Sequence, residues 1–196
     1  LAGGVGSRTV APSRLGGGAV QVAAALTQDG DLLVSGGSRR PALVTEAAPG
    51  AEETLEVWGI DARTGVAERL CFDRLRGARA GHTVSVLGRR VLFAGGRDAE
   101  GRIRDDAEVG DLATRAEMRR TGRCLIGAPE PVPMGSPRVG HRTVHLTGTA
   151  ELLVVGGIAR DPGVEQDGRA ASTAILYSDF ARTLLLAPRP RAPRSW

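Results

Sequence analysis

Short apolar runs closed by glycine recur along this chain. Leu152-Leu-Val-Val155 and Val91-Leu-Phe-Ala94 are apolar at every position rather than at every second one. Four or five residues bounded by glycine is strand length, and apolar side chains on both faces belong to a strand whose sheet is covered on both sides. Each run follows another strand-like segment. Val20 to Leu26 precedes Asp31 to Ser35 across Asp29-Gly30, Thr83 to Leu87 precedes Val91 to Ala94 across Gly88-Arg89, and Thr143 to Leu146 precedes Leu152 to Val155. Asp-Gly is a strong hairpin signal, because glycine accepts the positive φ that the turn demands. One hairpin is thus written three times, and each copy ends in a double glycine: Gly36-Gly37, Gly95-Gly96 and Gly156-Gly157.

From Gly36 to Gly95 is 59 residues and from Gly95 to Gly156 is 61. A period of this size built from short strands is the signature of a propeller or array, whose units bury their faces against neighbours. Two further strands complete each unit. The first unit adds Thr54 to Ile60 and Val66 to Phe72, the second a weak strand at Ala107 to Val109 and another around Met118 to Leu125, and the third Thr173 to Tyr177 and Thr183 to Leu186. The predicted fold is all-β, a β-propeller segment of four-stranded antiparallel blades. The units span residues 16–75, 76–134 and 135–188, with the end of a preceding blade in 1–15 and the start of a following one in 189–196. Three blades do not close a ring, so the remaining blades, or other chains, are expected to complete it.

Composition changes this picture little. The net charge is +4 and the pI about 10.3, yet all 26 basic residues are Arg and the 22 acidic residues are interspersed with them. A nucleic-acid platform pairs a basic stripe with exposed aromatics. Only Trp58, Phe72, Phe93, Tyr177, Phe180 and Trp196 are aromatic and they are scattered, so no nucleic-acid partner is expected. No run approaches the ~20 apolar residues of a membrane helix. Cys71 and Cys124 fit no zinc spacing, and are either a disulfide of an exported protein or two free core thiols.

Candidate chemistry is sparse. A glycine-rich turn after a strand cradles phosphate only when a helix follows it. Here loops and strands follow, so the double glycines are structural, allowing close backbone approach at a strand end. His141 and His145 stand about 13 Å apart if extended, too far to share one metal ion. His82 and His141 are assigned to bracing the blade entrance. No metal, cofactor or catalytic residue is expected.

Direction alternates along an antiparallel sheet, so connections after second and fourth strands share one face. They are the long ones: Ser38 to Glu53, Arg97 to Asp106, Ile158 to Ala171 and Gly127 to Pro137. Binding residues concentrate on long loops held by rigid scaffolds. The candidates are therefore Arg97, Asp98, Arg102, Asp105 and Asp106 in the second unit and Arg160, Asp161, Glu165 and Asp167 in the third. Acidic groups in these loops, including Glu46, Glu52, Glu53 and Glu100, alternate with arginine, a pattern of solvated loops rather than of a calcium site.

These features resemble the kelch-repeat family of β-propellers. The residues that carry the resemblance are the small-residue and His lead-ins Ala80-Gly81-His82 and Val139-Gly140-His141, the hairpins ending in Gly-Gly, and an aromatic near a turn Asp (Trp58 with Asp61, Tyr177 with Asp179). The pattern departs at Gln21, where the other units have His, and at Val109-Gly110, where an aromatic is expected. The resemblance implies a non-enzymatic module binding a protein or carbohydrate partner. The alternative is the structural part of a larger propeller enzyme of copper radical oxidase or sugar isomerase type, with its catalytic residues outside this segment. Bacterial cell-surface propellers have similar composition, so secretion or surface display is expected, with a cytoplasmic adaptor as the alternative.

Overall fold

The computed structural model describes residues 19–39, 50–61, 63–146, 151–159, 169–170, 174–178 and 182–186. The fold is all-β, and among the described residues it holds three antiparallel four-stranded sheets and one two-stranded ribbon. In the first, β1 (Ala23–Leu26), β2 (Leu32–Ser35), β3 (Thr54–Ile60) and β4 (Ala67–Arg74) lie side by side in chain order. The second repeats this with β5 (Thr83–Leu87), β6 (Arg90–Ala94), β7 (Asp106–Asp111) and β8 (Glu130–Pro133). In the third, β9 (Arg142–Leu146) and β10 (Glu151–Val155) are followed by a ribbon of β11 (Ile158–Ala159) and β12 (Arg169–Ala170), then by β13 (Ala174–Ser178) and β14 (Arg182–Leu186). Among the described residues no sheet closes on itself.

The unbroken apolar runs have a clear cause. In β6, Val91 and Phe93 point into a core shared with Leu33, Leu55 and Val57 of the first sheet, while Leu92 and Ala94 point into a core shared with Leu152, Val154 and Ile175 of the third. These four β6 side chains are 0% exposed. The second sheet is thus packed on both faces, and burying each large aliphatic or aromatic group contributes roughly 1.5–3 kcal/mol.

A backbone relay links the inner edges of the sheets. The Gly140 N–H donates to the Gly81 carbonyl and the Gly81 N–H to the Gln21 carbonyl, each at 3.0 Å. Gly81 and Gly140 hold φ of 65° and 69°, and Gln21 holds 57°. Gln21 therefore occupies the glycine position of the lead-in, not the histidine position assigned from sequence. Val22 stands where the other units have His82 and His141, and Ala19 where they have Arg79 and Arg138. A side chain in the left-handed region costs about 1 kcal/mol, which the relay tolerates at this one site.

The second unit departs from the repeat between its third and fourth strands. Met118 to Leu125, expected as a strand, holds a helix, α1 (Arg115–Thr121), and the fourth strand is β8, inside the segment expected as a loop over Gly127 to Pro137. Local chemistry dictates the helix. The Thr114 hydroxyl accepts from the Glu117 N–H at 3.2 Å while the Glu117 carboxylate accepts from the Thr114 N–H at 2.8 Å, a complete capping box. Gly122 ends the helix at φ 71°. Met118 is buried and anchors the helix to the first core. The weak strand at Ala107 to Val109 is a six-residue strand, because β6 pairs with it from Ala107 to Asp111 and β8 from Asp106 to Val109.

This insert clasps the first sheet. Cys124 is joined to Cys71 of β4 as a disulfide, and the Asp73 carboxylate accepts from the Cys124 and Leu125 N–H groups at 3.2 Å each and from Arg123 Nε at 2.9 Å. Arg115 pairs with Asp31, and Arg119 with Glu68 at 3.1 Å. Gly110 makes room for the clasp, since a Cβ there would lie 3.1 Å from the Leu125 side chain. The missing aromatic of the second unit is thereby explained, because Leu125 fills the space.

Candidate functional site

Two arrangements attract attention: the junction between sheets, and the face carrying the long connections. The junction is built twice in the same way. The N–H of Gly37 donates to the Arg79 carbonyl and that of Gly96 to the Arg138 carbonyl, both at 2.8 Å. A Cβ on Gly36 would lie 2.2 Å from the Arg79 carbonyl oxygen and 2.7 Å from His82 Cε1. On Gly95 it would lie 2.5 Å from the Arg138 carbonyl oxygen and 2.9 Å from His141 Cε1. Each double glycine is thus the seat of the next unit's Arg-x-Gly-His lead-in.

Both histidines are buried and find hydroxyl partners. His82 Nε2 lies 2.8 Å from Ser35 Oγ and His141 Nε2 lies 2.9 Å from Thr83 Oγ1, which also meets Thr143 Oγ1 at 2.6 Å. Ser35 pairs across the strands with Ala23, and Thr83 with Ala94, so the hydroxyl changes strand between units while occupying the same register pair. Burial, then the charges of Arg79 and His141, push His82 down to about 3. Burial, then Arg138 and Arg142, push His141 down to about 4. Both rings are neutral at physiological pH, as a bracing role requires.

Arg79 is 0% exposed and spends its five N–H groups within the protein. Its Nε and Nη2 reach Glu108 Oε1 at 3.1 and 3.0 Å, Nη2 reaches Asp106 Oδ2 at 3.0 Å, and Nη1 reaches the carbonyls of Gly95 and Asp106 at 2.8 and 3.0 Å. In the first unit, where Ala19 replaces the arginine, the matching Glu56 binds Trp58 Nε1 at 2.9 Å and Arg69 Nη1 at 3.2 Å instead. The third unit places Ile175 at this position. These are structural solutions, with Arg79, Arg138, His82 and His141 all buried at the junction.

The other arrangement is open. Arg39 and residues 50–53 of the β2–β3 connection, Arg74 and Ala78 around the β4–β5 connection, and Ala99 of the β6–β7 connection line one groove of about 630 Å³. All three connections emerge on the face predicted to be the binding face. The Gly50 N–H donates to the Ala99 carbonyl at 3.0 Å, tying the loops of two sheets together at the groove. Arg39 Nε meets Glu52 Oε1 at 2.6 Å, and Arg74 pairs with Glu53. The opposite face is not made of tight turns alone, because the β7–β8 connection there carries α1.

The predicted loop residues are placed beside this groove rather than in it. Asp98 folds its own loop, accepting from the Arg102 N–H at 2.8 Å, the Glu100 N–H at 3.1 Å and Arg102 Nε at 2.8 Å. Burial alone would raise its pKa, but these bonds and the Arg102 charge hold it below the ordinary range. Arg97 donates to the Gly101 carbonyl at 2.8 Å, and Asp105 is exposed. Asp106 is not a loop residue: it opens β7, half-buried, and binds Arg79 and Arg104. Its carboxyl is held low by Arg104 and Arg79 against the raising effect of burial. Arg160, Asp161, Glu165, Asp167 and Glu46 lie outside the described residues, as does the Tyr177 side chain.

Sequence reasoning missed Arg39, Glu52, Glu53 and Arg74 as one cluster, and missed the roles of Arg79 and Glu108. The repetition of Arg79 at Arg138, three residues before each histidine, was the available signal for the last two. Among the described residues no group of three or more His, Cys, Asp or Glu gathers to hold a metal ion. No protein-family model matches the chain, and no curated protein sequence matches it.

Proposed function

We propose that this chain is a kelch-type propeller segment that binds a protein partner through its long-connection face, the ring being completed by further blades or by other chains. The observation that carries the reading is the groove: three connections from two sheets converge on one open depression, two of them tied together by the Gly50–Ala99 backbone bond. Among the described residues its lining holds no aromatic, and carbohydrate binding draws on aromatic platforms, so a polypeptide is the better occupant than a glycan. The buried Cys71–Cys124 disulfide favours an oxidising compartment, and with it secretion or surface display.

A displayed library of random linear peptides tests this. Peptides enriched on the wild-type chain are expected to lose binding to Ala99→Trp, which fills the groove, and to keep it with Arg119→Gln, which changes the exposed helix on the opposite face. Enriched peptides insensitive to Ala99→Trp would place the binding surface elsewhere and refute the proposal.

A further inference from the structure

Within this groove, and resting on the reading just given, we infer that the ligand is an acidic linear segment, recognised through two arginine forks, Arg39 and Arg74. Depth decides this. The Arg39 side chain is 77% exposed above a Glu52 side chain that is 24% exposed, and Arg74 is 65% exposed above Glu53 at 41%. In each pair the arginine side chain is the more exposed partner. Each glutamate therefore serves as a positioning residue that restrains a long, flexible side chain.

The forks have capacity to spare. Arg39 engages Glu52 through Nε, and Arg74 engages Glu53 through Nη1. A guanidinium carries five N–H donors in a planar array that matches a carboxylate bidentately, so the edges turned away from the glutamates remain suited to a ligand carboxylate. Between them Gly50, Ala51, Ala78 and Ala99 contribute little side chain, leaving room for an extended backbone to lie close to the protein surface.

The glutamates also set selectivity. A basic segment would meet the guanidinium groups before it could reach Glu52 or Glu53, so the groove disfavours cationic peptides although its four charged side chains sum to zero. A restrained guanidinium also sacrifices less conformational freedom on binding than a free one, which is where preorganisation yields affinity.

The test uses fluorescein-labelled hexaglutamate, hexaserine and hexalysine with the full chain, read by fluorescence anisotropy. Hexaglutamate is expected to bind most tightly. Arg39→Gln/Arg74→Gln is expected to weaken it about tenfold or more, and Arg39→Lys/Arg74→Lys by an intermediate factor, since charge survives while the fork is lost. Glu52→Gln/Glu53→Gln reports on positioning, with binding expected to weaken even though the groove becomes more positive. Unchanged thermal midpoints confirm that these exposed substitutions leave the fold intact. Hexaglutamate that fails to bind, or binds Arg39→Gln/Arg74→Gln as it binds wild type, overturns the inference. If hexaserine or hexalysine binds instead and is displaced by Ala99→Trp, the acidic class is wrong while the groove stands. If no peptide is sensitive to Ala99→Trp, both fall together.

Discussion

Replacing Gly95 by alanine asks how much the seat between sheets contributes to the fold. Gly95 and Gly88 share the same φ of 60°, so an alanine at either incurs the same left-handed strain, about 1 kcal/mol. At Gly88 a Cβ meets nothing within 4 Å, whereas at Gly95 it lies 2.5 Å from the Arg138 carbonyl oxygen and 2.9 Å from His141 Cε1. The Arg138 carbonyl is fixed backbone, so relief requires the third unit's lead-in to move. Overpacking of this kind costs about 1–3 kcal/mol. The displacement also loosens the 2.8 Å bond from the Gly96 N–H, worth about 1 kcal/mol. The expected losses are therefore about 1 kcal/mol for Gly88→Ala and about 3–5 kcal/mol for Gly95→Ala. At roughly 2–4 °C per kcal/mol for a chain of this size, thermal midpoints followed by circular dichroism fall by about 3 °C and about 12 °C respectively. Gly156 supplies an internal control: it is exposed at φ 69° with no described atom within 4 Å of a Cβ, so Gly156→Ala should behave like Gly88→Ala. Equal midpoints for Gly95→Ala and Gly88→Ala would refute the seat as described.

Three more measurements bear on the same scaffold. Above about pH 6.5 the two buried histidines are neutral in both states, but below it the unfolded chain binds protons that the folded chain refuses until about pH 3 for His82 and about pH 4 for His141. Stability should thus fall by about 1 kcal/mol per pH unit per histidine between pH 6 and 4.5, before the lowered Asp98 and Asp106 carboxyls begin to protonate; urea midpoints that stay flat across that window would contradict their burial. Glu108→Gln leaves the buried Arg79 without its main counter-charge and is expected to cost about 3–5 kcal/mol in urea unfolding, whereas Arg79→Met/Glu108→Leu should recover most of it; a single substitution costing under about 1 kcal/mol would show that the pair is dispensable. The disulfide spans a sequence separation of 53, for which chain entropy gives about 4 kcal/mol. Cys71→Ala/Cys124→Ala should lower the unfolding midpoint accordingly and speed hydrogen exchange across 112–126 before the sheets open; unaltered exchange there would show that Asp73 and Met118 hold the clasp unaided.

Strands were legible wherever local turn chemistry marked their ends. Thr83–Leu87 and Thr54–Ile60 match their expected bounds because Gly88-Arg89 closes the first and Asp61 to Gly65 the second. The helix was legible too, in Thr114-x-x-Glu117 and in the stop at Gly122, but the repeat suggested a strand and local capping overrode it. The one-residue offset at Gln21 was hidden because glutamine does not advertise a left-handed backbone. The groove was not readable at all, since Arg39, Glu53, Arg74 and Ala99 sit on connections that only the stacking of two sheets brings together.

By itself the sequence determined the all-β class, the hairpins and the shared face of the β2–β3 and β6–β7 connections, because strand period, turn residues and chain direction are local properties. Tertiary structure decided what the charged residues do. Arg79 and Arg39 are the same side chain in the same Arg-rich composition, yet one is sealed against Glu108 and the other stands above Glu52 in solvent. Which of them meets a partner depends on desolvation and on neighbours 13 to 29 residues away in the chain, and neither is written in local pattern.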